Sequence, residues 1–167
     1  KIEDFFILNQ KKFDVIISSG GSSFSSGDLI SSFLKKNSKV FFEYLRIQPG
    51  RPIIFSKYKS AHIFSLPGNP LAVFINLILI VSQFLINSKK EIPIKYELIK
   101  SSFNEYKRKD ITKFYRVKVN KGKAYAHNTK GSAKLISIAE CDGLLVVNEG
   151  VDKLIKNKKY EFIKFEF

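Results

Sequence analysis

The chain has 167 residues, enough for one or two domains with a real core. It is 44% hydrophobic and 26% charged, an ordinary globular composition that excludes global disorder. The net charge of +14 is carried mostly by lysine and divided almost evenly between residues 1–91 and 92–167, so no basic tail stands out.

In chain order, Val15, Ile16 and Ile17 within FDVIISSGG read as a strand over 14–18, covered on both faces and entering a glycine turn. A loop follows, then a helix over 28–36 with Asp28 as its N-cap. KVFFEYLRI reads as one strand and QPGRP as a tight turn. IIFSKY and AHIFSLP read as two further strands. A long helix over 70–87 is apolar nearly all round. Its apolar run, 71–86, falls short of the roughly 20 residues of a membrane span and contains Asn76, Ser82 and Gln83, so a buried central helix is expected. Strands alternating with helices point to an α/β layer over 1–91. From 92 to 167 the texture changes to short strands separated by Gly, Asn and Lys turns, with AKLISIAE among them. That spacing predicts a small all-β sandwich or barrel, with a hairpin turning at Asn120, Lys121 and Gly122.

Several residue types narrow the function. Cys141 stands alone, which excludes an internal disulfide and fits a reducing, cytoplasmic compartment. His62 and His127 are far apart and near no cysteine cluster, which argues against zinc. The lysine excess raises nucleic acid as a partner, but no RNP-like, zinc-finger or arginine-rich pattern supports it; a solvated lysine surface explains the charge. No small-residue cleavage site follows an apolar core in the opening residues, so no signal peptide is expected. The chain begins at Lys1 and contains no Met, which reads as a trimmed chain or a piece of a longer one.

Three loops stand at strand ends: SSGGSSFSSGD, QPGRP and LPGNP. Ligands of open α/β sheets sit beyond the carboxyl ends of strands. The glycines and serines of the first loop suit a phosphate. In the third, Asn69 reads as an N-cap and Pro70 as the first helical residue. Pro67 and Gly68 would set an elbow whose free helix-start amides face outward to an anion.

DVIISSGGSSFSSGD, RIQPGRPIIF and FSLPGNPLAVF, in this order and spacing, resemble the molybdopterin molybdenumtransferase family, MoeA and the gephyrin E-domain. The resemblance implies the later part of a pterin-binding three-layer α/β domain, followed by the family's C-terminal β domain. It also implies a C-terminal fragment of a homodimeric enzyme that inserts molybdate into adenylylated molybdopterin with Mg2+. Carried over by motif, Ser19, Gly20, Gly21 and Ser23 match the pterin-phosphate loop. Asp28 matches a functionally important acid that would hold Mg2+. Arg51 matches the second lysine of a Lys-Pro-Gly-Lys-Pro loop, and Pro67, Gly68, Asn69 and Pro70 match directly. Arg116 and Ser132 fall where the family has an arginine and a serine facing molybdate. Gln48 replaces a usual lysine and Ala72 a common serine, which favours a rival reading: a non-catalytic pterin-binding or scaffold module with a degraded site.

Overall fold

The computed structural model describes residues 2–22, 28–89, 94–127 and 136–165. They belong to two compact units, Lys1–Leu45 with Gly50–Ser82, and Arg46–Pro49 with Gln83–Phe167.

The first unit is α/β. Its elements are α1 (Ile2–Asn9), β1 (Val15–Ser19), α2 (Leu29–Asn37) and β2 (Lys39–Tyr44), then, beyond β3 (Ile47–Gln48) of the other unit, β4 (Pro52–Tyr58), β5 (Ala61–Leu66) and α3 (Pro70–Asn76). The strands lie in the order β1-β5-β4-β2. β1 is parallel to β5, whereas β4 runs antiparallel to both of its neighbours. Alternate residues of the strands place Ile16, Ile54, Tyr58 and Ile63 on one face, packed against Phe6 of α1 and Leu34 of α2. α2 begins where its cap dictates: the Asp28 carboxylate accepts the Ser31 N–H at 3.0 Å.

KVFFEYLRI is not one strand. β2 carries two register shifts and ends at Tyr44, while Ile47 and Gln48 pair with a strand of the other unit. A competing partner captured the end of the run, which local β propensity does not reveal.

The long helix forms over 70–89 as α3, a π turn (Leu77–Val81) and α4 (Ser82–Lys89). Instead of burial all round, it has a narrow buried stripe: Ala72, Ile75, Asn76 and Val81. In an α-helix, residues five apart diverge by about 140°; the wider π turn brings Asn76 and Val81 back to one side. Among the described residues no helix is long and apolar enough to cross a membrane.

The second unit contains β6 (Glu97–Ser101), β7 (Glu105–Tyr106), β8 (Thr112–Asn120), β9 (Lys123–Ala126), α5 (Ile136–Ala139), β10 (Gly143–Val147), β11 (Lys153–Leu154) and β12 (Lys159–Lys164). Its sheet runs β10-β12-β6-β9-β8-β3, and β10 also pairs with β8. Five strands therefore close into a barrel, with β3 added to β8, while β7 and β11 form a separate ribbon. Tyr115, Val117, Leu145, Val147, Leu154 and Phe162 fill its core. The hairpin turns as expected: Asn120 pairs with Lys123, and both Lys121 and Gly122 have positive φ. Within AKLISIAE, the described residues Ile136–Ala139 form a short helix, α5, rather than a strand. Both sides of β10 are taken by β8 and β12, so the closed ring offers this segment no edge.

Candidate anion-binding site

Three loops converge at one end of the four-stranded sheet. Ser19 of β1 lies beside Leu66 of β5, so the Ser19-Gly20-Gly21 turn and the Pro67-Gly68 elbow leave neighbouring parallel strands at the same level. β4 runs the opposite way and begins there, with Pro52 opposite Tyr44 of β2. Gly50 and Arg51 therefore stand at the same end. The start of α2 joins them: a Cβ on Gly21 would lie 2.7 Å from the Ile30 side chain.

Hydrogen bonds hold the first loop. The Gly20 N–H donates to the Leu66 carbonyl at 3.0 Å. The Ser18 hydroxyl donates to Ser65 at 3.2 Å, and the fully buried Ser65 hydroxyl donates to the Gly20 carbonyl at 3.3 Å. In a trans peptide N–H and C=O point in opposite directions, so this pins the Gly21 N–H away from the serine pair. Gly20 and Gly21 both have positive φ, near +87° and +86°, the geometry glycine permits most readily. Ser22 is buried, its hydroxyl 3.5 Å from the Pro52 carbonyl.

In the second loop Gly50 has φ +107° and its carbonyl accepts from Asn76 Nδ2 at 3.1 Å. The Arg51 carbonyl accepts the Leu45 N–H at 2.9 Å, and its exposed guanidinium lies 5.6 Å from the centre of the Tyr44 ring. Gln48 is placed on β3 in the barrel unit, with its backbone paired to Lys113.

The third loop corrects one expectation. Asn69 caps α3, but the helix start keeps no spare amide. Pro70 has none, Leu71 and Ala72 donate to Asn69 Oδ1 at 3.0 and 3.3 Å, and Val73 donates to the Asn69 carbonyl at 2.9 Å. A side-chain cap consumes the donors that an anion would use. What the elbow exposes is Gly68, with open space where a Cβ would stand, together with Asn69 and Pro70; Pro67 is buried.

Asp28 is 7% exposed, and its Oδ1 is engaged by the cap. Among the described residues no group of three or more His, Cys, Asp or Glu is placed to hold a metal ion. Ser23 and Ser132 lie outside the described residues. Arg116 belongs to the barrel, half-buried on β8, its carbonyl accepting the His127 N–H at 2.9 Å. His127 Nε2 lies 2.8 Å from Glu140 Oε2. Burial pushes the neighbouring Cys141 thiol up to about 11, against the pull of Arg116 and Lys118.

Sequence reasoning picked the loops and missed what fixes them: Ser65, Ser18, Asn76 and Tyr44. The available signal was a lone polar residue inside an apolar run, Ser65 in AHIFSLP and Asn76 in the helix. Together the loops present backbone donors, a carboxamide and one guanidinium, a set that suits an oxyanion.

Residues 1–87 match the family model described as "Probable molybdopterin binding domain", and residues 100–165 match "MoeA C-terminal region (domain IV)". The chain belongs to the MoeA/gephyrin family. Molybdopterin molybdenumtransferase of Haemophilus influenzae is 33% identical over 85 residues, covering 51% of this chain and 21% of that protein. Gephyrin of Dictyostelium discoideum is 33% identical over 96 residues, covering 48% and 13%. The molybdopterin biosynthesis MoeA protein from Pyrococcus horikosii superposes with a TM-score of 0.81 at 25% identity, covering 99% of this chain and 41% of that one. The chain thus spans well under half the length of each of these MoeA/gephyrin relatives. The family places it in molybdenum cofactor biosynthesis.

Proposed function

We propose that this MoeA-type chain carries the pterin-nucleotide and oxyanion site of a molybdenum insertase, which places molybdate into adenylylated molybdopterin. The observation that carries this reading is the convergence of the Gly20-Gly21, Gly50-Arg51 and Pro67-Gly68 loops at one sheet end, two of them with a glycine carbonyl pinned from behind. The nucleotide phosphates would take the 19–23 loop, where the Gly21 N–H is fixed in direction, and the elbow at Gly68 and Asn69, where the backbone is approachable. Molybdate, a tetrahedral dianion, would be met by Arg51. The parent protein would be a cytoplasmic homodimer.

One capping carboxylate and, among the described residues, no cluster of ligands do not fit a resident, protein-caged metal. They fit an Mg2+ that arrives on substrate phosphates, since that ion is commonly held by one or two carboxylates plus phosphate oxygens and water. Asp28 would hold it, and the ion would neutralise charge on the pyrophosphate as the phosphoanhydride is cleaved. A degraded, non-catalytic site is the second reading, favoured by Gln48 and Ala72.

Asp28→Asn tests the proposal, because Asn caps a helix as well as Asp does. The variant is expected to fold like wild type and to lose Mg2+-dependent release of AMP from adenylylated molybdopterin. AMP release at the wild-type rate would remove Asp28 from the mechanism; a folded wild-type protein that binds without releasing AMP would favour the scaffold reading.

A further inference from the structure

Asn76 is the last residue of α3, fully buried in an otherwise apolar stretch, immediately before the π turn. Its Nδ2 donates to the Gly50 carbonyl at 3.1 Å, across a sequence separation of 26 residues. Its Oδ1 is buried with no hydrogen-bond partner. An unmatched buried acceptor is costly, so a residue serving only to pack this helix would be apolar. Ile75 and Val81 already supply that packing. The carboxamide is therefore explained by what its donor holds.

That donor holds a peptide in a conformation that needs holding. Gly50 sits at φ +107°, and its carbonyl is drawn toward α3. In the trans Gly50–Arg51 peptide the Arg51 N–H then points away from α3. The next carbonyl, that of Arg51, is tied to the Leu45 N–H, and the guanidinium lies over Tyr44. Resting on the reading of this loop as an oxyanion site, we infer that Asn76 is a positioning residue. It fixes the Gly50–Arg51 peptide so that the Arg51 N–H and guanidinium are presented together to the anion. Ser65 does the same for Gly20, so both glycine loops are aimed by a buried side chain behind them.

The test titrates the protein with molybdate as wild type, Asn76→Leu, Asn76→Asp and Arg51→Ala, with thermal denaturation of each. Leu keeps the branched shape, is somewhat bulkier and has no donor. Asn76→Leu is expected to weaken molybdate binding about tenfold at temperatures where it is fully folded. Asn76→Asp is expected to bind weakly at about pH 8, where a carboxylate cannot donate to the Gly50 carbonyl, and to recover toward about pH 6, because burial raises its pKa and the protonated acid can donate. Wild type should stay flat over that range. Should Asn76→Leu fail to fold, the pH profile of Asn76→Asp decides alone. If Arg51→Ala weakens binding while Asn76→Leu stays within about twofold of wild type, or Asn76→Asp shows no recovery, Asn76 merely packs the helix and the inference falls. If Arg51→Ala binds like wild type, or wild type binds no molybdate, the anion-site reading itself falls and takes the role of Asn76 with it.

Discussion

Gly20 and Gly21 share a backbone sign and need glycine for different reasons. A Cβ on Gly20 meets open space, so Gly20→Ala should cost only its left-handed strain, about 1–2 kcal/mol. Gly21→Ala adds a clash with Ile30 and should exceed that by roughly 1–3 kcal/mol. Urea denaturation of the two variants orders them; equal losses would mean that the loop yields to Ile30. Cys141 supplies a second residue-scale expectation. With its thiol pushed up to about 11, roughly one molecule in a thousand is thiolate at pH 8. Iodoacetamide should label the native protein far more slowly than the denatured one, and labelling at equal rates would contradict the burial of Cys141. The caps Asp28 and Asn69 were legible because each is a short polar side chain ahead of an apolar run. The saturation of the α3 amides was not legible. It depends on Asn69 Oδ1 reaching two donors at once, a matter of rotamer rather than residue type.

At the scale of elements, the β8–β9 turn makes a plain prediction. Lys121 sits at φ +46° in the first of two positions that both require positive φ. Lys121→Asn should stabilise the protein by about 0.5–1 kcal/mol, seen as a higher melting temperature. A lower melting temperature would mean that the lysine side chain contributes something the turn geometry does not show. Local chemistry made this hairpin legible: the alternating strand, the glycine and the two-residue loop lie together in sequence. The failures share the opposite cause. KVFFEYLRI was split by a pairing partner more than sixty residues downstream, and AKLISIAE was excluded from the sheet by closure of a ring it does not belong to. Composition foretells the 70–89 helix but not its burial, because the π turn brings Val81 onto the side of Ala72, Ile75 and Asn76.

The whole molecule was legible through its motifs. SSGG, QPGRP and LPGNP each look like ordinary loop chemistry; in order and at this spacing they identified the family that residues 1–87 and 100–165 match. The parallel pairing of β1 with β5 and the reversed β4 explain why motifs far apart in sequence share one sheet end. Calorimetric titration of adenylylated molybdopterin with Mg2+, with Asp28→Ala as the control, reads whether the converged loops bind the pterin nucleotide. The proposed site predicts saturable binding that weakens in the variant. No binding to the folded protein, or equal binding to both, would contradict it.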